Sequence, residues 1–374
     1  MKDIRIQKMA KQVIEYSVHL RPGEKVLIDI WDEAYDFAEE LIKAVQEAGA
    51  YPFLNLQSLA LNRQLILNAT EESMQSWYEY ENYRMKDMDA YIVVRKNNNN
   101  RSYEGIPAEK LCLYNTYYGK LHYGTRIKGT KWCVLRYPND SFAQAAGMST
   151  EDMETFFFEN CCLNYKRMNE LAMPLNDLMM RTEWIDIKAP GTDLHFSIKD
   201  CCKPSACGIF NIPCGETGMP VLPESVNGTI SYNLPSLFQN LLFENIVLKL
   251  KDGIIVEATS SHTEEMNRIL DTDPNARRIG EFAMGFNPYI TQPVCDTLFD
   301  EKMAMTMHFT PGNDSIYNPS AIHWDIVTSH AKEMGGGKIY ADGILIRKDG
   351  LFVLDELQQL NPENLKKELE ATRL

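Results

Sequence analysis

The run Lys25-Val-Leu-Ile-Asp-Ile30 has the pattern of a buried β-strand, and it follows a turn at Arg21-Pro22-Gly23. Residues 32–49 then carry apolar side chains at helical spacing, and Gly49 is a plausible helix C-cap. A second strand follows as Tyr51-Pro-Phe-Leu-Asn-Leu56. A strand, a helix and a strand in this order predict a βαβ unit with parallel strands and a right-handed crossover.

The sheet is expected to continue through Tyr91-Ile-Val-Val94 and Lys131-Trp-Cys-Val-Leu-Arg136, which have the same apolar character. A dinucleotide-binding fold would place glycines directly after its first strand, where this chain has Ile30-Trp-Asp-Glu-Ala34. A nucleotide-binding role for this half is therefore not expected.

The second half has a different pattern, because pairs of β-like runs flank the hairpin turns Lys251-Asp-Gly253 and Lys348-Asp-Gly350. Antiparallel structure is expected from about residue 183 onward, after a helical segment at Asp152–Met180, and Asn361-Pro362 predicts a closing helix. The predicted fold is an α/β N-terminal domain with a parallel sheet over residues 1–180. A mainly antiparallel β (α+β) metal-binding domain is predicted over residues 181–374.

Composition restricts the function classes. The chain has 374 residues, 44% of them apolar, and a formal net charge of −14. That charge disfavours nucleic acid and anionic membrane surfaces as partners. The N-terminal residues show no apolar core of a signal peptide, and no apolar run is long enough to span a membrane. Nine cysteines, an odd number, favour reduced thiols and a cytoplasmic location.

The segment Ala321-Ile-His-Trp-Asp-Ile-Val327 offers metal-binding chemistry. On a strand, His323 and Asp325 would lie on one face, opposite an apolar face. Upstream, Lys302-Met-Ala-Met-Thr-Met-His308 is expected to be a second strand, with its methionines on one face and His308 on the other. A histidine and a carboxylate two residues apart can form a preformed pair of ligands, or can simply hydrogen-bond within a sheet.

Two acids have unusual surroundings in the sequence. Glu281 lies in the apolar, glycine-flanked segment Arg278-Ile-Gly-Glu-Phe-Ala-Met-Gly285, and Glu216 lies in a Pro/Gly-rich segment expected to be a loop. Buried acids need partners, and a metal cluster would account for both of them together with the histidines.

Several segments, taken in order along the chain, resemble those of the M29 family of metallopeptidases, the aminopeptidase T group. The matching segments are Leu20–Ile28, Gly191–Leu194, Pro213–Glu216, Ile279–Phe282, Asp300–Lys302, Met307-His308 and Asn318–Asp325.

The resemblance implies a homodimeric exopeptidase that uses two divalent metal ions to remove N-terminal residues from peptides. The ligand positions that it implies here are Glu216, Glu281, His308, His323 and Asp325. Such a donor set suits zinc, cobalt or manganese, and the residue that bridges the two ions stays open.

The sequence departs from the family pattern where the resemblance implies a catalytic tyrosine, shortly after the first ligand histidine. Tyr317 is the nearest candidate, and an ordinary loop tyrosine is the alternative. Glu216 or Glu281 could act as the general base if it is not committed to metal. The other five histidines match no ligand motif.

Two further functions stay open. His308, His323 and Asp325 alone would suit a mononuclear iron, ring-cleaving dioxygenase of the 2-His-1-carboxylate type. That site does not need Glu216 and Glu281, and their presence favours the peptidase. An inactive metal-binding homologue is the third possibility, supported only by the altered tyrosine segment.

Overall fold

The structure is a computed structural model that describes residues 3–201, 206–313 and 317–372. The α-helices, numbered along the chain, are α1 Ile4–Gln12, α2 Tyr35–Glu47, α3 Leu59–Leu67, α4 Glu71–Lys86, α5 Ala108–Leu121, α6 Asp140–Ala145, α7 Thr150–Cys161, α8 Tyr165–Arg181, α9 Thr263–Leu270, α10 Thr297–Asp300 and α11 Pro362–Ala371. The strands are β1 Lys25–Trp31, β2 Tyr51–Gln57, β3 Ala90–Arg95, β4 Lys131–Arg136, β5 Trp184–Ala189, β6 Thr192–Ser197, β7 Asn211–Ile212, β8 Glu216–Pro220, β9 Asn227–Ser231, β10 Ser236–Phe238, β11 Leu241–Phe243, β12 Val247–Lys251, β13 Ile254–Thr259, β14 Ile279–Gly285, β15 Thr306–Pro311, β16 Val327–Ser329, β17 Lys338–Ala341, β18 Ile344–Lys348 and β19 Leu351–Phe352.

The first compact unit contains the described residues up to Cys162 together with Gly208–Ile212. Its five strands form a parallel sheet in the order β2-β1-β3-β4-β7. Strands β1 and β3 are buried on both faces, as apolar runs in a parallel sheet should be. Gly49 has a φ of +72°, the conformation that ends a helix, so the predicted βαβ unit and its C-cap are confirmed.

The second unit contains the described residues of the range Leu163–Cys207 and those from Pro213 onward. It has an eight-stranded antiparallel sheet in the order β13-β12-β9-β6-β5-β17-β18-β19 and a four-stranded antiparallel sheet in the order β16-β15-β14-β8. Both predicted hairpins, β12–β13 and β18–β19, are present. The predicted fold class is therefore confirmed.

The helical segment predicted at Asp152–Met180 is two helices, α7 and α8, rather than one. The side chain of Asn164 accepts a hydrogen bond from the Arg167 N–H and caps α8, which starts a new helix there. The predicted domain boundary at residues 180/181 stays a prediction; in the structure, α8 belongs to the second compact unit.

The two strands predicted around the histidines are shorter than expected. Lys302–His308 is not one strand, because Met305 has a φ of +63° and regular pairing begins only at Thr306. The alternation predicted for its methionines was therefore wrong. Within Ala321–Val327, the only ladder residues are His323, in an isolated bridge to Gly312, and Val327, which begins β16. This segment is extended but irregular, and its apolar side chains are buried as expected.

No helix within the described residues is both long enough and apolar enough to cross a membrane.

Candidate metal centre

Strands β8, β14 and β15 bring together acids that are far apart in the sequence. In the register of this sheet, Ala283 on β14 lies opposite Gly218 on β8 and His308 on β15. Because side chains alternate between the faces of a sheet, Glu216, Glu281 and His308 lie on one face. Glu216 is the first residue of β8, so the prediction that it lies in a loop was wrong.

His308 lies between two of these carboxylates. Its Nε2 atom is 3.8 Å from Glu216 Oε2 and 3.9 Å from Glu281 Oε1. The His308 side chain is only 2% exposed, and its Nδ1 atom and Glu216 Oε2 are buried without a hydrogen-bond partner. Buried polar atoms without partners are rare, so this pair indicates that a bound group is needed to complete the cluster.

His323 and Asp325 form the second half of the cluster. Nε2 of His323 is 3.1 Å from Asp325 Oδ1, while Nδ1 is 2.6 Å from the main-chain carbonyl of Asn313. A donated Nδ1–H fixes the tautomer that leaves Nε2 as the ligand atom. The Thr310 hydroxyl donates to Asp325 Oδ1 at 2.7 Å and orients that carboxylate.

Glu301 and Lys302 join the cluster, although the sequence had assigned no role to either. The Lys302 ammonium is fully buried and forms ion pairs with both Glu216 and Glu301. The signal in the sequence was the charged triplet Asp300-Glu301-Lys302 directly before an apolar run, which is unusual unless the charges have buried partners.

Two groups of potential ligands have donor atoms that all lie within 4.8 Å of one another. The first contains Glu281, His323 and Asp325, and the second contains Glu301, His308 and Asp325. Asp325 belongs to both groups. Two adjacent cation sites that share one carboxylate would have this arrangement.

The excess of acids changes the acidity of the histidines. Burial alone would lower the pKa of His308, but the contact with Glu281 and the charge of Glu216 outweigh it and raise that pKa to about 9. His323 behaves in the same way beside Asp325, and its pKa is also raised. Protonated imidazoles therefore supply positive charge that the carboxylates require, and a divalent cation would supply the same charge.

Lys302 supplies further positive charge. Its burial lowers its pKa, but the charges of Glu216 and Glu301 outweigh this effect and raise the pKa. Burial raises the pKa of Glu301, and the ammonium of Lys302 opposes that rise. Both shifts show how strongly the buried carboxylates and the ammonium interact.

Gly218 makes room for one of the acids. A Cβ atom at this position would lie 2.5 Å from Glu281 Oε1. Because no Cβ atom is tolerated that close to an oxygen, glycine at this position allows the Glu281 carboxylate to lie over the sheet.

Tyr317 lies in an exposed position, and its hydroxyl is 3.4 Å from the main-chain carbonyl of Asp200. Residues 314–316, which precede it, lie outside the described part of the chain. Its catalytic role stays a prediction. Among the described residues, the two ligand groups include His308 and His323 and none of the other five histidines.

Cys112, Cys161 and Cys295 are free thiols. Cys202, which the sequence places beside Cys201, lies outside the described residues.

An α/β unit followed by an antiparallel unit that carries clustered acids and histidines defines a class of metal-dependent enzyme. The thermophilic metalloprotease (M29) family model matches residues 2–352. The chain belongs to this family, and the class of metallopeptidase hydrolase expected from the sequence is confirmed.

The relatives are aminopeptidases. The chain is 25% identical to aminopeptidase T of Thermus thermophilus, with 90% of this chain and 95% of the relative covered. It is 24% identical to aminopeptidase T of Thermus aquaticus, with 81% and 84% covered. It is also similar to aminopeptidase PepS of Streptococcus thermophilus, at 22% identity with 79% and 81% covered.

Two solved structures share the fold. Wild-type AmpT from Thermus thermophilus has a TM-score of 0.77 at 22% identity, with 94% of this chain and 99% of that chain covered. The 2,5-dihydroxypyridine dioxygenase of Pseudomonas putida has a TM-score of 0.59 at 13% identity, with 94% and 98% covered. The same architecture thus occurs in a peptidase and in an oxygenase, and fold alone does not choose between them.

Proposed function

We propose that the chain is a metal-dependent aminopeptidase that releases N-terminal residues with two metal-ion sites sharing a carboxylate. The observation that carries the proposal is the pair of ligand groups with Asp325 in common. A single-ion site would leave one of these groups without a role.

The residues present fit two divalent cations. Glu281, His323 and Asp325 would hold one ion, and Glu301, His308 and Asp325 would hold the other. Glu216 would complete the second site through Oε2, the oxygen that has no partner in the structure. The donors are nitrogen and carboxylate oxygen without thiolate, a set that suits zinc, cobalt or manganese.

When bound, such ions lower the pKa of a coordinated water and polarise the scissile carbonyl. The protein's own residues orient the cluster. Thr310 holds Asp325, and the Asn313 carbonyl holds His323. Lys302 binds Glu216 through Oε1 and leaves Oε2 free, so Glu216 could instead accept the proton of the attacking water.

The proposed metal sites suit a peptide with a free N-terminus. An ion held there would also bind the free α-amine of a substrate, and an acetylated N-terminus offers no such amine. We therefore propose exopeptidase rather than endopeptidase action, with Tyr317 as the candidate group for the carbonyl oxygen.

The assembly and location are also proposals. We propose a homodimer, because the resemblance to the M29 family implies one. We also propose a cytoplasmic location, with which the free thiols of Cys112, Cys161 and Cys295 accord.

Metal analysis of the purified protein, combined with hydrolysis of aminoacyl p-nitroanilides, tests the proposal. We expect about two divalent ions per chain, loss of hydrolysis with a chelator and its return with cobalt or zinc. The N-acetylated substrate should not be cleaved.

The alternative function, a mononuclear iron dioxygenase, predicts a different metal content and a different reaction. One iron per chain and oxygen consumption with a dihydroxylated aromatic ring would support the dioxygenase. Glu281→Gln separates the two, because it should reduce the metal content toward one ion and abolish peptide hydrolysis, whereas a mononuclear 2-His-1-carboxylate site does not use this residue.

A further inference from the structure

Asn287 is fully buried in the second unit, two residues after β14, and its hydrogen bonds reach two other parts of the chain. Its main-chain N–H donates to the Lys302 carbonyl at 2.9 Å. Its side-chain Nδ2 atom donates to the Cys214 carbonyl at 2.8 Å. One residue is therefore bonded to both segments that carry the buried ion pair between Lys302 and Glu216.

The side-chain amide of Asn287 is itself held in one orientation. The Tyr289 N–H donates to its Oδ1 atom at 3.0 Å, which leaves the amide nitrogen as the donor to Cys214. Because both amide atoms have a buried partner, turning the amide over would leave both partners unsatisfied. The Cys214 carbonyl is therefore held in a fixed place, two residues before Glu216.

The chain between Cys214 and Glu216 lies directly against Asn287. Gly215 has a φ of +134°, and a Cβ atom at this position would lie 2.7 Å from the Asn287 Cβ atom. The Phe286 N–H also donates to the Gly215 carbonyl at 2.7 Å. Only glycine permits so close an approach of two main chains. This segment has no room to move toward Asn287, and the two hydrogen bonds oppose its movement away.

The segment that carries Lys302 is fixed to the same residue. Asn287 and Met303 form an isolated parallel bridge, next to the hydrogen bond that the Lys302 carbonyl accepts. From this position the ammonium of Lys302 reaches the carboxylates of both Glu216 and Glu301. It binds Glu216 through Oε1, and Oε2 stays buried without a partner. The register of the two segments thus decides which oxygen of Glu216 is available to an ion.

We propose that Asn287 is a positioning residue, which holds Lys302 and Glu216 together so that the Glu216 Oε2 atom completes the second metal site. This inference rests on the proposed metal sites. Asn287 contributes no ligand atom and acts only through the two segments that it joins. Groups that orient metal ligands in this way change metal affinity by about 10- to 100-fold when they are removed.

Asn287→Leu tests the proposal. Leucine is similar in size and unbranched at Cβ, so it keeps the close approach of Gly215 and removes both hydrogen bonds of the amide. We expect the affinity for zinc, measured by competition with a chelator, to fall about 10- to 100-fold. A thermal unfolding curve shows whether the variant is folded. Asn287→Ser, which is smaller and too short to reach Cys214, is the second variant and should shift the affinity in the same direction.

Asn160→Leu is the matched control. Asn160 is fully buried in α7 of the first unit, and its Nδ2 atom donates to the Phe156 carbonyl at 2.9 Å. The same substitution there also removes a buried amide, so it should lower the stability and leave the zinc affinity unchanged. An unchanged zinc affinity in the folded Asn287 variants would overturn the proposal, and so would an equal loss in the Asn160 variant.

A double-mutant cycle with Glu216→Gln shows whether Asn287 acts through Glu216. Glutamine keeps an oxygen for the Lys302 ammonium but is a poor ligand, so the position of this side chain no longer matters to the ion. In the Glu216→Gln background, Asn287→Leu should therefore change the zinc affinity by less than about 2-fold. Losses that simply add would refute an action through Glu216.

Failure of the proposed function would look different. A folded chain that binds no zinc at all would refute the metal sites and the role of Asn287 together. A chain that binds zinc equally well with and without the Asn287 amide would refute the positioning role alone.

Discussion

Asp29 in the parallel sheet and Asp325 in the antiparallel unit are both buried carboxylates, and they differ in what surrounds them. Asp29 accepts hydrogen bonds from Asn55, Gln57 and Tyr91 at 2.7–2.9 Å, and a guanidinium lies 3.9 Å away. Asp325 lies among other acids, and atoms of its neighbours have no partner.

The histidines of the two regions show the same contrast. Burial, together with the charges of Arg95 and Arg126, lowers the pKa of His122 to about 3. His308, in contrast, has its pKa raised to about 9 by the acids around it. Asp29 in the first region has all its partners within the protein, whereas Glu216 in the cluster around Asp325 keeps one buried oxygen without a partner. A buried acid therefore indicates a binding site only when the chain does not supply its partners.

Asp325→Asn should give the largest effect. Since Asp325 belongs to both ligand groups, we expect both ions to be lost and kcat/KM for an aminoacyl p-nitroanilide to fall at least about 1000-fold. Metal analysis and initial rates measure this change. An unchanged metal content in the folded variant would contradict the contrast between the two acids, because Asp325, like Asp29, would then have no part in metal binding.

Asp29→Asn is the reciprocal change. It removes one of the two acids beside the buried Arg126 guanidinium, while Glu81 stays at 4.0 Å. The amide also has one acceptor oxygen in place of the two that accept from Asn55, Gln57 and Tyr91. We expect stability to fall by about 3 kcal/mol, while the metal content per folded chain stays the same. Chemical denaturation followed by metal analysis measures both. A loss of metal without a loss of stability would show that Asp29 belongs with the acids of the second unit.

His122 predicts a dependence of stability on pH. Its pKa in the folded state, about 3, lies below the ordinary value of 6.5, so the unfolded state binds more protons below pH 6.5. Stability should therefore be unaffected by this group above pH 6.5 and fall as the pH is lowered, by about 2 kcal/mol between pH 6.5 and 5.

His122→Phe keeps an aromatic ring against Tyr118 and removes the titrating group. Denaturation midpoints at several pH values should then decline less steeply in this variant than in the unmodified chain. His330, whose pKa is lowered to about 4 by burial, contributes with the same sign in both proteins and cancels in the difference. Equal slopes would show that His122 is not held neutral.

Thr310→Val should give the smallest effect. It removes the hydroxyl that orients Asp325 but no ligand, so metal affinity should fall about 10-fold. Competition with a chelator measures the affinity. Thr328→Val removes a buried hydroxyl that donates to Asn233, outside the cluster, and should leave the affinity unchanged. If both variants lost the same metal affinity, the cause would be a general loosening of the packing and not the loss of the hydrogen bond that orients Asp325.

Local sequence patterns were sufficient for the strands and helices whose contacts are close in the chain. The βαβ unit is an example, because the apolar period of residues 32–49 and the cap at Gly49 act within a few turns. The two hairpins were also predictable, since Asp-Gly turns pair adjacent runs. The strand expected across Lys302–His308 failed because Met305 adopts a positive φ that the residue type does not suggest.

The five ligand candidates could be named by residue type and by resemblance, but their arrangement could not. Lys302 and Glu216 are 86 residues apart, and they meet because β14 pairs with β8 on one side and, on the other, with β15, the strand that follows Lys302. The same pairing places Gly218 beneath the Glu281 carboxylate. The register between two such strands is set by contacts between residues far apart in the sequence. The local spacing of apolar residues does not predict it.

The sequence by itself determined the family, the class of fold and the kinds of residue proposed to bind metal, because these depend on ordered motifs and short-range periodicity. Only the tertiary structure decided that Glu301 and Lys302 enter the cluster and that Asp325 is common to both ligand groups. Only the structure also showed that the apolar strand β2 lies uncovered at an edge. Burial and pairing are properties of the folded chain, and they decide which charges lack partners and which apolar surfaces remain exposed.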